Sequence, residues 1–503
     1  MSRRKRKNTI TLISLLLATA ALILFYFWYS GRDQKAEKQD SQDTSAINLE
    51  LAKLDTTLIN SIRLVNQSAD LKLVLQDTLW KSEAEPDRPI NQEKVVDLLN
   101  LAALVKAKQL IIEKPEDPAE YGLGEPVIYF EALLSDGKSL RLNIGDKAIT
   151  GNGYYAQVND SEAVYLLDTT YGTRMAYSLL DMTALESIPS ITTDNIYHIL
   201  VEKKDGDSFE LLYDKENMAD KTGAGMFPWL VLKPYEEGYS ADGYKVSELL
   251  PKYTGFKYLQ NVDYAGKDLA QYGLGDPTAT VTIGYYETYT KTLDQPETDP
   301  NTGEEIKEKT YTDEKSYQLH IGNRDEGENY YVRPEGSSSV YTMKAEAIDQ
   351  MLQVNPFGVL SSFVTIPNID TVNKVEIDID GQPYTMEIKR VTVKDADGKE
   401  TSKASYYYNG ELVEEGVFKD VYQIIIGAGY DKEITEPVKE EEFRPTLSFT
   451  YHLINGKTLT SAFMPYNESF YIVRTQENPI RFFSDKRKIG EVIAAIKEFK
   501  GME

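Results

Sequence analysis

Three histidines, His198, His320 and His452, are the side chains of this chain best suited to proton transfer or metal binding near neutral pH. Each lies inside its own alternating apolar run, whereas a metal centre or a serine–histidine–acid set needs convergence. They read as ordinary strand residues. Neither a Gly-x-Ser-x-Gly nor a His-Glu-x-x-His pattern occurs. The chain has no cysteine, which removes thiolate nucleophiles, disulfides, zinc-thiolate sites and iron–sulfur clusters together. Gly427-Ala428-Gly429 follows an apolar run but lacks the third glycine and the opening helix of a dinucleotide loop, so a helix stop explains it. Asp299-Pro300-Asn301-Thr302-Gly303-Glu304-Glu305 imitates a calcium loop, with Gly303 at the third ligand position and Thr310 where a bidentate Glu belongs. Turn residues in an acidic loop account for it equally, and calcium binding there is left open. Carboxylates number 80, so pairs suited to glycoside hydrolysis arise anywhere by chance. No catalytic residue, metal ligand or cofactor is expected.

The elements that position these residues are organised by an internal repeat. The segment Asp117-Pro-Ala-Glu-Tyr-Gly-Leu-Gly-Glu-Pro126 returns as Asp268-Leu-Ala-Gln-Tyr-Gly-Leu-Gly-Asp-Pro277. The spacing predicts a short helical turn: Asp268 caps its start, Gly273 takes the left-handed conformation past its end, and Leu274 folds back as the apolar contact. Gly275 and Pro277 then release the chain into an extended segment. Asp117, Gly122, Leu123, Gly124 and Pro126 repeat these assignments. Tyr121 and Tyr272 either line a ligand groove or anchor the turn against the core, and the backbone role of the glycines favours the second reading.

Three modules follow from the pattern, spanning 47–189, 190–366 and 367–503. Each opens with a pair of alternating strands, around Asp205-Gly206 in the second module and Asp380-Gly381 in the third. An aromatic strand follows, with Trp80, Trp229 or Tyr406-Tyr407-Tyr408, and then one principal helix with apolar helical spacing. Modules one and two continue through the glycine turn, a second hairpin, and paired tyrosines such as Tyr154-Tyr155 and Tyr330-Tyr331. The third lacks the turn and reads as a diverged copy. An acidic insertion near 290–315 predicts an extended solvated hairpin or loop on the second module. The expected class is α+β with antiparallel sheets dominating. The last apolar stripe, Ile489, Val492, Ile493, Ile496 and Phe499, predicts a closing helix.

Ahead of the modules, a basic tail at 1–9 precedes an uncharged run from Ile10 to Tyr29, long enough as a helix to cross the roughly 30 Å core of a bilayer. Trp28 and Tyr29 close an aromatic cluster that suits an interfacial anchor and occupies the place a cleavage site would need. The expectation is an uncleaved signal anchor, N-terminus cytoplasmic, with a flexible stalk at 30–46 and the modules outside the cell membrane. A net charge of −25 makes nucleic acid an improbable partner. The 35 tyrosines suit half-buried strands, and their amphipathic rings also suit recognition surfaces and sugar platforms.

This combination resembles a bacterial group, the domain of unknown function family numbered 4340. The residues that carry the resemblance are the basic N-terminus with one apolar helix, the Trp strand before a Leu-rich helix, Asp268–Pro277, Ile321-Gly322 and Tyr330-Tyr331-Val332. Some members of that family look like partners of ABC-2-type transporters, including those linked to gliding motility, and the resemblance implies such a partner here. It brings no catalytic residue. The expectation is therefore a membrane-anchored, extracytoplasmic binding or scaffold protein without catalysis, an accessory of an ABC-type transporter or envelope complex. A cell-wall carbohydrate-binding protein is the alternative from another class, and a carboxylate-based hydrolase ranks last.

Overall fold

The fold is that of a computed structural model, which describes residues 49–499 except 125–127, 215–226, 236–237, 299–302, 304, 395–399, 437, 439–442 and 476–480. The expected tail, membrane helix from Ile10 to Trp28 and Tyr29, and stalk lie outside the described residues, as do Pro126 and Asp299-Pro300-Asn301-Thr302. Among the described residues no helix is long and apolar enough to cross a membrane.

Antiparallel pairing dominates, in three nine-stranded sheets. All three share one order over eight strands. An opening meander of three strands leads into a helix; a single strand then crosses to the far edge; a closing meander of four strands fills the gap. The opening meanders are Ile59–Asn66, Ala69–Gln76 and Leu79–Ser82; Ile196–Lys203, Phe209–Tyr213 and Trp229–Lys233; and Val372–Ile379, Gln382–Lys394 and Glu400–Tyr408. The crossing strands are Leu104–Ile112, Gln260–Asp263 and Lys432–Glu433. The closing meanders begin at Ile128–Leu134, Ala279–Thr298 and Leu447–Leu453, and the first strand of each pairs with the first strand of the opening meander. The ninth strand varies. Leu49–Lys53 lies outside the crossing strand in the first sheet, while Tyr239–Ser240 and Glu411–Val413 extend the opposite edge of the other two.

Alternation along these strands explains the cores. Ile62, Leu64, Ile199, Val201, Val375 and Ile377 are buried, while the intervening side chains face outward. The helices after the opening meanders each bury one stripe, such as Val95, Leu98 and Ala102 on Gln92–Ala103 and Phe418, Val421, Tyr422 and Ile425 on Glu415–Ile426. A second helix follows the last strand of every module, at Thr169–Met175, Ala345–Leu352 and Lys486–Lys497. The sequence suggested one principal helix per module because seven or eight residues, two turns, are too short for helical periodicity to stand out. Asp168 and Asp485 cap the first and last of these helices. Hydrogen bonds from Lys108 and from Arg487, respectively, together with the capped backbone amides hold both carboxyl groups down at about 2.

Among the described residues two compact units result, one of Glu93–Ser178 with the residues up to Ala84, the other of Glu85–Gln92 with the residues from Leu179 onward. The second unit thus holds two whole sheets, and they share core residues. Phe482, on the last strand of the third sheet, packs its ring 5.6, 5.0 and 5.5 Å from Tyr235, Tyr239 and Phe357 of the second module and 4.6 Å from Tyr430 of its own. It belongs to the second module's apolar cluster rather than to the third's. An isolated bridge between Phe363 and Gly429 ties the same junction. Removing this ring takes packing from two modules at once. Phe482→Ala is expected to cost about 3–5 kcal/mol, with hydrogen-exchange protection falling in 239–241 as well as in 482–485; a loss confined to the third module would separate the two.

Candidate functional site

The repeated glycine turn forms in both places by the same bonds. Asp117 and Asp268 accept hydrogen bonds from the backbone N–H of Ala119 and Ala270 at 2.8 and 3.2 Å, starting the short helices Pro118–Tyr121 and Leu269–Tyr272. Gly122 and Gly273 stop them in the left-handed region, at φ +71° and +69°. The amides of Leu123 and Leu274 then donate back to the carbonyls of Pro118 and Leu269, and both leucine side chains are buried.

Each turn docks on a glycine of the neighbouring hairpin. A Cβ placed on Gly145 would stand 2.1 Å from the Tyr121 carbonyl oxygen, and one on Gly322 2.1 Å from that of Tyr272, with Leu123 or Leu274 close behind. The Ile-Gly pair therefore exists to admit the turn's backbone. Gly124 and Gly275 follow against Ala119 and Ala270, and Pro277 leads into the strand Ala279–Thr298. Tyr121 and Tyr272 are half-buried, edge-on to Tyr155 and Tyr331 at 5.1 and 4.9 Å. Burial raises the pKa of Tyr272, with Asp263 adding to it. By strand register, Met464 occupies in the third module the place of Gly145 and Gly322. It is fully buried with Ile472 and Phe483 and has Phe443 and Phe470 packed around it. Side chains fill there the space that the turn takes elsewhere.

The three histidines do not meet. Each faces a glutamate on its own sheet: His198 with Glu210 at 3.0 Å, His320 with Glu335 at 2.6 Å, His452 with Glu376 at 3.1 Å. The His320 hydrogen bond lowers the pKa of Glu335, and Lys374 followed by His452 lowers that of Glu376. Each pair lies across neighbouring chain segments of a sheet. Among the described residues no three His, Asp or Glu side chains are grouped to hold a metal ion.

An aromatic pair that the sequence did not single out lies on the outward face of the second sheet. Tyr197 and Tyr286 have ring centroids 4.8 Å apart, while the cross-strand pair Tyr213 and Trp229, at 5.1 Å, continues the core face of Leu211 and Val231. All four are half-buried. A side chain on Gly284 would strike the Tyr197 ring at 2.8 Å, so this glycine lets the ring lie over the strand. Burial and then Glu314 raise the pKa of both Tyr197 and Tyr286, and Tyr213 adds to the rise at Tyr286. Half-exposed rings beside a carboxylate are the chemistry of a stacking platform with a hydrogen-bond acceptor. The signal in the sequence is Tyr285-Tyr286 beside Gly284, but only strand pairing brings in Tyr197 and Glu314. A separate apolar groove of about 320 Å³ runs between Pro367–Ile369 and the helix Glu415–Ile426, with Tyr422 on its wall and Lys419 in its lining.

Compared with known proteins, the chain matches the family described as Domain of unknown function (DUF4340) over residues 80–224 and 229–425. Both matched segments begin on the Trp strand, at Trp80 and at Trp229, and each contains one glycine turn. No curated protein and no solved structure matches the chain.

The docking geometry sets a measurable contrast between glycines. Gly322→Ala is expected to lower stability in urea titration by roughly 1–3 kcal/mol, through overpacking against the Tyr272 carbonyl. Gly416→Ala, in the first turn of a helix with open space around it, is expected to be neutral or stabilising by up to about 1 kcal/mol. Equal effects would mean that the turn does not depend on the close approach.

Proposed function

The chain belongs to the DUF4340 family, and from that premise we propose that it is a membrane-anchored extracytoplasmic scaffold, an accessory of an ABC-type transporter or envelope complex, with no catalysis of its own. The observation that carries this reading is the repetition: three sheets that share one order over eight strands, behind an uncharged run of twenty residues with a basic tail. Repeated modules supply long surfaces rather than one enclosed site. The histidines fit it too, because the three lie apart on separate strands and each sits beside a glutamate of its own rather than converging. Affinity purification from gently solubilised membranes is expected to bring down a transporter permease or ATPase subunit with the full-length chain. Recovery of the chain alone at every detergent concentration would discard a stable complex.

A second reading, a cell-wall glycan-binding protein, is favoured by the half-buried pair Tyr197 and Tyr286 with Glu314 beside it. Sugar rings stack on such faces while a carboxylate accepts hydrogen bonds from their hydroxyls. Purified wall glycan is expected to bind the full-length chain and to bind Tyr197→Ala and Tyr286→Ala about tenfold more weakly, about 1.4 kcal/mol. Unchanged binding in both variants, or none to the parent, removes this reading.

A further inference from the structure

The second module differs from the others by a ribbon. Ala279–Thr298 and Glu305–Arg324 are twenty residues each, and their pairing runs from Ala279 opposite Ile321 out to Thr298 opposite Glu305. Neighbouring strands cover only the base: Ile196–Lys203 pairs with 279–285, and Asn329–Pro334 with residues from Leu319 onward. Among the described residues no strand pairs with the outer edge of 305–317, and no backbone hydrogen bond reaches it. Nearly every side chain from Glu305 to Ser316 is exposed.

The ribbon is held by its own cross-strand contacts. Tyr289 stacks on Tyr311 at 5.8 Å with Lys291 over both rings, and Thr288 and Thr290 hydrogen-bond to Thr312 and Thr310 at 3.3 and 3.4 Å. Two strands alone are marginal in water, and an open edge is a template for another strand. Lysines on the edge oppose indiscriminate pairing. Within the ribbon Lys307 lies 3.6 Å from Glu305, Lys309 3.2 Å from Glu297 and Lys315 3.7 Å from Asp313, exposed pairs that solvent keeps weak and that an incoming strand must match.

The edge's own sequence supplies the match. Alternation places Glu305, Lys307, Lys309, Tyr311, Asp313 and Lys315 on one face of the strand. Laid antiparallel on a second copy about a two-fold axis through Thr310, Lys307 meets Asp313, Glu305 meets Lys315, and Lys309 meets the Tyr311 ring. Every charged residue on that face then faces an opposite charge or a π face, in both halves of the symmetric pair. Moving the axis to Tyr311 sets Lys307 against Lys315 and Glu308 against Glu314. Moving it to Lys309 sets that lysine against itself and Glu305 against Asp313. The ribbon's other edge carries Pro296, which has no N–H to donate.

We propose that this edge, Glu305–Lys315, pairs with the same edge of a second copy of the chain, forming a four-stranded ribbon and a two-fold dimer. The charge pattern specifies the register, and the unpaired backbone supplies the bonds.

The test uses the full-length chain in mild detergent and exploits the absence of native cysteine. Thr310→Cys places a thiol on the axis, within disulfide reach of its symmetry mate; Thr288→Cys, equally exposed on the other strand, is the control. Under mild oxidant the Thr310→Cys chain is expected to form a disulfide dimer at least about tenfold faster than the control. Adding Lys307→Asp sets two aspartates opposite each other and is expected to slow cross-linking roughly tenfold, while Lys307→Asp with Asp313→Lys restores the opposite-charge pair and the rate. Sedimentation of the parent should show a concentration-dependent dimer. Equal cross-linking at Thr310→Cys and Thr288→Cys, a charge swap that fails to rescue, or a parent that stays monomeric each overturns the proposal; a heterologous strand on this edge would leave the parent monomeric.

Discussion

One strand pairing holds each module together: the first strand of the opening meander against the first strand of the closing one. Leu64 lies opposite Phe130, Ile199 opposite Ile283 and Ile377 opposite Phe449, in the middle of each sheet. These partners are far apart in sequence, so loop-closure entropy must be overcome before the contact stabilises anything. Hairpins on either side cost little, because each is joined locally. Losing the central pair would leave two meanders, each with an exposed apolar face, and the crossing strand would have no far edge to reach.

The glycine turn solves the problem that this topology creates. After the crossing strand the chain must return to the centre of the sheet, and the turn starts that return by docking its backbone on Gly145 or Gly322. Close packing of backbone against backbone needs a residue without Cβ, and the left-handed stop at Gly122 or Gly273 needs the same residue for a different reason. The third module reaches the same strand order with Met464 buried in place of the glycine and phenylalanines around it. Two chemistries thus serve one topology: a backbone wedge in two modules, an apolar plug in the last.

Two surface features, the half-buried pair Tyr197 and Tyr286 and the ribbon beyond it, both belong to the module with the acidic insertion. The second and third modules share Phe482, so part of their cores is common. A contact such as His320 with Glu335, 2.6 Å apart, contributes to cross-strand register at an exposed surface, where solvent keeps its value small.

Sequence alone determined the local features: the Asp-Gly turns, the alternation of buried residues, the stripe on Glu415–Ile426, the capped turn at Asp268–Gly273 and the family resemblance. Each of these is set by residues near one another along the chain, where propensity and periodicity operate. It also marked the third module as a copy despite the missing turn, because its hairpins and helix kept their spacing. Tertiary structure alone decided which strands become neighbours, and with them that Tyr197 meets Tyr286, that Gly322 receives Tyr272, and that Phe482 crosses into another module's core. The two-turn helices at Thr169–Met175 and Ala345–Leu352 were hidden for the related reason that their stability comes from docking, not from propensity. Contacts between distant residues leave no period in the sequence, and only the folded sheet order brings them to one place.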